Sequence, residues 1–249
     1  MSILKAENLK VSVDDEVVLD GLSFEIDEKG IYVILSKSAL ETTTLARALA
    51  GIVAPDEGSI SYKDIDLSDK KSGKALKSKI GYLPKESFLY PDMTAYEVLE
   101  FTGKMRRVPA DKRMKQIKEA LELVGFYQMS EVLVKDMTFS QRKRLMLANA
   151  LIGNPSVLIF DEPIARVISD DAELIRDVIS MLGERKTLII LTEKISLADQ
   201  LGKNIGIMSK GKMALWSSLE NIKKKLDNDA NALLKTFLAF TDESAGGAR

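Results

Sequence analysis

The 249-residue sequence contains no cysteine and no histidine. Their absence excludes disulfides, thiol nucleophiles, zinc sites with Cys or His ligands, and acid–base chemistry by imidazole. Catalysis would therefore have to rest on carboxylates, hydroxyls or lysines. Apolar runs such as Val157–Phe160 and Leu188–Leu191 are far shorter than the ~18 residues of a membrane-spanning helix. The first ten residues have no apolar core of a signal peptide, so we expect a cytoplasmic chain that meets a membrane only through a partner.

The sequence also lacks an excess of charge of either sign. Lys and Arg number 36, Asp and Glu number 37, and the formal net charge is -1. This balance differs from that of basic nucleic-acid-binding proteins, and we expect no nucleic-acid partner. The hydrophobic fraction of 45% is that of an ordinary globular protein. The length suits one large α/β domain or two small ones.

Hydrophobic patterns predict an α/β fold in which strands and helices alternate. Near-alternation over the first thirty residues, with turn residues at Asp14-Asp15 and Asp20-Gly21, predicts an antiparallel sheet. The apolar strand Ile31–Leu35 is followed by a polar loop, Ser36–Glu41. A helix is then predicted over Thr42–Ala50, ended by Gly51.

A helical segment is predicted between two core strands. Thr94 and Glu97 form a capping box, and Pro109 ends the first helix. A second helix is predicted over Asp111–Val124 and closes on Gly125.

Further core elements are predicted from apolar runs and helical periodicity. We expect a helix over about 138–152 and parallel core strands over 79–83, 157–160, 187–191 and 204–208. Together these predict a doubly wound sheet, followed by a disordered tail over 242–249.

The order of several segments resembles the ATP-binding subunit of an ABC transporter over about Ile3–Ile222. The segments are IYVIL-loop-TTTLARALAG, IGYLPKESFLYPDMTAYEVLEF, MTFSQRKRLMLANALIGNP, VLIFDEP and TLIILTEK. The second segment, with the later LELVGF, resembles the ABC-2-type exporter subfamily. The resemblance implies a P-loop NTPase cassette with an N-terminal antiparallel β subdomain, a parallel core sheet and an inserted helical subdomain. It implies one cassette over residues 1–240, with the helical subdomain at about 85–135 and a disordered tail over 241–249.

The family's phosphate loop reads G-x-x-x-x-G-K-[ST]: glycines let backbone N–H groups close around phosphates, lysine neutralises them, and a hydroxyl holds magnesium. The resemblance aligns Ser36 and Glu41 with the two glycines. Thr42 aligns with the lysine and Thr43 with the hydroxyl, so only the hydroxyl is kept. A carboxylate at Glu41 is expected to repel a phosphate about 4 Å away by roughly 4 kcal/mol. The aligned residues are Ser36, Lys37, Ser38, Ala39, Leu40, Glu41, Thr42, Thr43 and Thr44.

ATP and magnesium are the cofactors that the resemblance implies, and we expect this loop to bind them poorly. The alternative is that Lys37, at the loop tip, reaches the phosphate instead.

The carboxylate pair that the family has after this core strand is present here, directly after residues 157–160. The resemblance implies that Asp161 orients magnesium and that Glu162 polarises the attacking water. Taken alone, the Asp-Glu-Pro sequence could merely cap the following loop.

Other nucleotide-contacting positions depart from the family pattern. Lys85 replaces the glutamine after GYLP, and Glu193 replaces the switch histidine. The signature loop, a serine and two glycines in the family, reads Met-Thr-Phe-Ser-Gln. In this loop Thr138 could supply the serine hydroxyl, whereas the side chains of Phe139 and Ser140 obstruct close approach of a phosphate to the backbone.

Two hypotheses follow from these features. The chain is a transport motor subunit with severely impaired ATPase activity, paired with a second cassette in a homo- or heterodimer. Alternatively, it is a non-catalytic pseudo-ATPase that regulates or stabilises a partner. Both imply an integral membrane permease as the partner, with the chain peripheral on the cytoplasmic face. A single cassette and a pI near 5.8 disfavour a soluble ABC protein of translation or repair.

Overall fold

The structure is a computed structural model that describes residues 2–69, 72–86 and 88–242. The described strands are β1 (Leu4–Val13), β2 (Glu16–Ile26), β3 (Gly30–Leu35), β4 (Glu57–Tyr62), β5 (Ile65–Asp66), β6 (Ile80–Leu83), β7 (Val157–Asp161), β8 (Thr187–Thr192), β9 (Asn204–Ser209) and β10 (Lys212–Ser218). The described helices are α1 (Ala39–Leu49), α2 (Ser72–Lys77), α3 (Ala95–Met105), α4 (Ala110–Leu123), α5 (Phe139–Leu151), α6 (Ser169–Gly183), α7 (Ile195–Leu201), α8 (Leu219–Lys224) and α9 (Ala232–Thr241).

The strands form two sheets. The first is antiparallel, in the order β2-β1-β4-β5. The second has the order β10-β9-β3-β8-β7-β6 and forms the core. Strands β9, β3, β8, β7 and β6 are parallel, as predicted, whereas β10 runs antiparallel to β9, so the core sheet is mixed. The two-residue link between β9 and β10 is a hairpin, too short for the crossover that a parallel pair would need.

Alternate side chains of β3 enter two different apolar cores. Ile31, Val33 and Leu35 face the core that contains helices α3–α6. Tyr32 and Ile34 face the core formed with α1 and the antiparallel sheet. Because both faces are covered, the strand is apolar and buried throughout, which is typical of a parallel strand in an α/β fold.

The helical segment begins and ends where its caps predict. Thr94 accepts from the Glu97 backbone N–H at 3.2 Å, and Glu97 Oε2 accepts from the Thr94 N–H at 2.8 Å. Pro109 lies directly before α4, and Gly125 follows α4 in the left-handed region with φ +65°. The capping box is therefore confirmed, whereas α3 already ends at Met105 and Pro109 marks the start of α4 instead.

Two local predictions are wrong. Asp20-Gly21 does not turn the chain; β2 continues through it, and Gly21, with φ +74°, lies at a register shift against β1. Helix α1 begins at Ala39, three residues earlier than predicted.

Residues 243–249 of the predicted tail lie outside the described residues, while Thr241 ends α9. None of the helices in the described ranges is long and apolar enough to cross a membrane.

Candidate functional site

The candidate site lies at one edge of the core sheet. Strands β3, β8, β7 and β6 are parallel neighbours, so their carboxyl ends meet at the same edge. In open α/β sheets ligands bind outside this edge. The sheet thereby brings together four predicted segments: the loop after Leu35, Lys85, the pair Asp161 and Glu162, and Glu193.

Helix α1 takes up six of the nine residues aligned with the phosphate loop. Ser38 caps the helix, and its hydroxyl accepts from the Glu41 backbone N–H at 3.3 Å. Thr42 is fully buried and its hydroxyl donates to the Ala39 carbonyl at 3.0 Å. Alanine, leucine and glutamate at positions 39–41 favour helix, and Glu41 stands where the family pattern has its second glycine; this propensity accounts for the early start. Thr42 therefore projects no group into the site.

The Glu41 side chain links the phosphate loop to the turn between β9 and β10 by hydrogen bonds. Its Oε1 accepts from the Gly211 backbone N–H at 2.8 Å, in the β9–β10 turn, and its Oε2 accepts a short hydrogen bond from the Ser36 hydroxyl. The Ser36 hydroxyl oxygen in turn accepts from the Ser38 N–H at 2.9 Å. The residues at the two family glycine positions thus bond to each other. We call this group of Ser36, Glu41 and Gly211 the carboxylate latch.

The latch changes the expected role of Glu41. The sequence predicted a carboxylate that repels phosphate, whereas the side chain is buried and turned toward Gly211. Lys37, the alternative phosphate ligand, forms a short ion pair with Asp242. Both side chains of that pair are half exposed, so the pair contributes little stability.

Thr43 and Asp161 form the part of the site that suits a cation. The Thr43 hydroxyl donates to Asp161 Oδ2 at 2.9 Å. Asp161 Oδ1 is buried and has no hydrogen-bond partner among the described residues. Burial raises the pKa of Asp161, while the Thr43 hydrogen bond and nearby Lys143 lower it. Both Thr43 and Asp161 line a cavity of about 690 Å³ that opens past Leu40 and Phe88.

These two residues fit only part of a magnesium site. Mg²⁺ in nucleotide enzymes is held by one or two carboxylates plus phosphates and water. The orphaned Oδ1 of Asp161 and the Thr43 hydroxyl are suitable oxygen ligands, but no group of three or more acidic side chains is found in the described part of the chain. The phosphates would have to supply the remaining ligands, but Thr42 stands at the position of the family's lysine and Lys37 is paired with Asp242.

Both carboxylate oxygens of Glu162 accept hydrogen bonds from other residues of the chain. Oε2 accepts from the Thr192 hydroxyl at 3.0 Å, and Oε1 accepts from the Glu193 backbone N–H at 2.6 Å. Its backbone has φ +48°, a strained value for a non-glycine residue. The Glu193 side chain is exposed and does not join this network. Glu162 is thus held in one orientation by the ends of β7 and β8.

Lys143 is a site residue that the sequence did not predict. It is 1% exposed, and its Nζ donates to the backbone carbonyls of Pro84 and Lys85 at 2.9 and 3.0 Å. Burial lowers its pKa to about 8, partly opposed by Asp161 and Glu162. The ammonium joins α5 to the segment after β6. The spacing along α5 could have indicated that Lys143 is buried. Lys143 lies three residues after Ser140 and four before Leu147, on the buried face of the helix.

The two predicted residues of the signature loop serve local structure. Thr138 caps α5: its hydroxyl accepts from the Gln141 backbone N–H at 3.2 Å, and its own backbone N–H donates to the Gln141 side chain at 2.8 Å. The hydroxyl of Ser140 accepts from the Ile168 N–H at 3.1 Å. Each hydroxyl therefore accepts one backbone hydrogen bond, which fixes the start of α5 and joins α5 to the loop before α6.

Comparison with known proteins places the geometry in a family. Residues 19–165 match the family model described as ABC transporter. An uncharacterized ABC transporter ATP-binding protein of Methanocaldococcus jannaschii is 30% identical over 90% of this chain and 80% of its own length. The linearmycin resistance ATP-binding protein of Bacillus subtilis is 28% identical, over 91% and 73%. A molybdate/tungstate import ATP-binding protein of Pyrococcus abyssi is 27% identical, over 94% and 67%.

Solved structures confirm the fold prediction. The ATP-binding subunit of an ABC transporter superposes with a TM-score of 0.84 at 16% identity, covering 96% of this chain and 99% of that one. A dimeric ATP-binding cassette in a post-hydrolysis state, bound to ADP and Pi, gives a TM-score of 0.78 at 21% identity, covering 87% and 98%.

Proposed function

The chain belongs to the ABC transporter family, and from this premise we propose that it is the cassette subunit of a membrane transporter with severely impaired ATPase activity. It docks on an integral membrane permease at the cytoplasmic face and pairs with a second cassette. The single observation that carries the impaired activity is the carboxylate latch, because it places a buried carboxylate at the second glycine position of the phosphate loop, bonded to Ser36 and Gly211, and the Ser36 hydroxyl in turn occupies the Ser38 backbone N–H.

The loss of binding energy at the loop supports the proposal. A lysine at position 42 would form charge-assisted bonds, each contributing about 1.5–3 kcal/mol, and Thr42 instead bonds within its own helix. Opening the latch to admit phosphate would also break both hydrogen bonds of a buried carboxylate. Every 1.4 kcal/mol is tenfold in affinity, so these losses weaken ATP binding by about a thousandfold or more.

A second candidate function is a non-catalytic regulatory subunit, and the latch favours it specifically. Random loss of nucleotide contacts would leave the two former glycine positions unrelated, whereas Ser36 and Glu41 bond to each other and to Gly211. Under this alternative the closed loop is a stable feature of the fold, and the chain stabilises the permease without binding ATP itself.

We assign the transporter to the ABC-2-type export class. The support is the segment Tyr90–Phe101, which resembles that subfamily's helical-subdomain sequence. The names of relatives include both a resistance protein and an importer, so family membership alone does not give the direction.

An exposed aromatic patch supports docking on a permease. Phe88 is 80% exposed and Tyr90 is 56% exposed, in the segment after Lys85 that in this family lines the groove for a cytoplasmic helix of the permease. The rings of Tyr90 and Phe101 meet edge to face with centroids 5.7 Å apart. Large exposed apolar patches mark interaction sites, and aromatic residues are typical anchors in them.

Co-purification with the permease tests the docking proposal. Phe88→Ala combined with Tyr90→Ala is expected to detach the chain from detergent-solubilised membranes, since truncating an aromatic anchor costs about 2 kcal/mol or more. The melting temperature should change little because both side chains are exposed. The matched control is Tyr127→Ala with Phe240→Ala, two other exposed aromatic residues. Retained association together with a large fall in melting temperature would refute the proposal.

A further inference from the structure

An apolar cavity lies at the edge of the core sheet opposite the candidate site. Strands β6 and β7 begin at this edge, and their first residues, Ile80 and Val157, pair in register and line the cavity. Asp161 ends β7, so it lies at the other edge of the sheet. The cavity has a volume of about 620 Å³, within the roughly 300–1,000 Å³ of small-molecule binding sites. We call it the amino-edge cavity, because it adjoins the amino ends of the two strands.

The floor and walls of the amino-edge cavity are apolar. Ile80 and Val157 are buried, and Ile3 and Leu76 are half-buried. Ile65, on the β4–β5 hairpin, is 41% exposed. All five of these residues line the cavity. Contact between apolar surface and water is unfavourable, so a ligand with a hydrocarbon body would be stabilised by removing this surface from water.

The rim of the cavity carries positive charge. Lys63 and Lys79 line the cavity and are exposed, and none of the described lining residues is acidic. Within the ranges that the structure describes, neither ammonium group forms an ion pair or a hydrogen bond. Asn154 adds amide N–H donors, since its Oδ1 already accepts from Lys186 Nζ at 2.7 Å. The rim therefore presents hydrogen-bond donors and unneutralised positive charge, a combination that suits an anion.

Backbone hydrogen bonds hold both lysines at the rim. Lys63 and Asp64 form the two-residue turn of the β4–β5 hairpin, with φ +50° and +63°. The Lys63 N–H donates to the Ile3 carbonyl at 3.2 Å, which ties this turn to the start of β1. The Lys79 carbonyl accepts from the Ser156 N–H at 2.9 Å. Because the backbone on both sides of the cavity is fixed, a ligand would bind without ordering these segments.

We propose that the amino-edge cavity binds a small amphipathic anion, namely a monocarboxylate with an unbranched hydrocarbon body. Lys63 and Lys79 hold the carboxylate, and the apolar floor covers the hydrocarbon. A free molecule fits better than an anionic bilayer surface, because the cavity reaches the buried residues Ile80 and Val157, whereas a bilayer would contact only the exposed rim. The site goes beyond the transport proposal, since it needs neither a nucleotide nor a permease.

Calorimetric titration of the full chain with a series of probes tests the inference. Octanoate, 1-octanol and octylammonium share a hydrocarbon body and differ in the charge of the head, whereas acetate has the carboxylate without the body. Octanoate is expected to bind at least about tenfold more tightly than 1-octanol, which corresponds to one charge-assisted bond. Hexanoate should bind about fifteenfold more weakly than octanoate, because each buried CH₂ changes the affinity about fourfold. Octylammonium and acetate should bind most weakly.

A charge-neutralising variant locates the carboxylate. Lys63→Gln with Lys79→Gln should lower the octanoate affinity at least about tenfold and leave the affinity for 1-octanol unchanged. The matched control, Lys112→Gln with Lys225→Gln, makes the same change of net charge at exposed residues that do not line the cavity. Melting temperatures should be unchanged in both variants, because all four side chains are exposed.

A substitution in the wall locates the hydrocarbon. Ile65→Glu places a carboxylate in the apolar wall and should abolish octanoate binding by repulsion and by loss of apolar contact. The matched control is Val17→Glu, an exposed apolar residue on β2. It should bind octanoate as the wild-type chain does.

Three results would overturn the inference. The first is equal binding of octanoate and octylammonium to the wild-type chain. The second is an octanoate affinity that the Lys63 and Lys79 variant lowers no more than its control does. The third is sedimentation with phosphatidylglycerol vesicles without octanoate binding, which would make the lysines a bilayer-binding surface. None of these results depends on co-purification with a permease, so the docking proposal fails separately.

Discussion

Removing the Glu41 carboxylate should destabilise the whole chain. Glu41→Ala deletes two hydrogen bonds to a buried charged acceptor, from Gly211 and Ser36, and leaves the Gly211 N–H unpaired. Bonds of this kind contribute about 1.5–3 kcal/mol each, so we expect a loss of about 3 kcal/mol of unfolding free energy. For a chain of this length, that corresponds to a fall of roughly 6–12 °C in melting temperature.

A double-mutant cycle isolates the latch. Ser36→Ala, Glu41→Ala and the double variant are compared by chemical denaturation followed by circular dichroism. Because the two side chains bond to each other, their effects should fall short of additivity by about 1 kcal/mol or more. The control is Glu119→Ala on α4, whose exposed carboxylate lies 3.8 Å from Lys115 and should matter by less than about 0.5 kcal/mol. Additive effects, or a Glu41→Ala loss no larger than that of Glu119→Ala, would refute the latch.

Two further predictions concern the loop and the buried lysine. Restoring the family loop requires Ser36→Gly, Ala39→Gly, Glu41→Gly and Thr42→Lys. This variant should bind Mg-ATP in calorimetry yet hydrolyse it little, because Lys85 and Glu193 remain; substantial turnover would contradict the expectation. The pKa of Lys143 is about 8 in the folded chain and 10.5 in the unfolded chain. Between these two pH values the unfolded chain binds more protons than the folded chain, so the unfolding free energy rises with pH. The destabilising effect of Lys143 is therefore full below pH 8 and is relieved above it. Relative to Lys143→Met, the wild-type unfolding free energy should rise by roughly 2 kcal/mol from pH 7 to pH 9.5; parallel profiles would contradict this.

The core of the fold was predictable because its signals are local. The run Ile31–Leu35 is buried on both faces, and the Thr94 capping box joins residues three positions apart. The start of α1 was misplaced for a physical reason. The expected loop came from reading Ser36–Glu41 as a polar segment, whereas Ala39, Leu40 and Glu41 have the helix propensity to extend α1 toward Ser38.

The site contacts were less predictable because they join distant parts of the chain. Glu41 and Gly211 are 170 residues apart, and Lys143 lies 59 residues from Pro84. The sequence supplied the retained pair of Thr43 and Asp161 as ligand candidates, and the structure brings these two side chains within 2.9 Å of each other. Their proposed role toward magnesium stays a prediction, as does the division of the chain into a cassette and a tail.

Calorimetric titration of the purified wild-type chain with Mg-ATP tests the central claim most directly. The claim is that a phosphate loop closed by Ser36, Glu41 and Gly211 is not a working nucleotide site. The account predicts no saturable heat at nucleotide concentrations up to the millimolar range. A micromolar dissociation constant for Mg-ATP would contradict it.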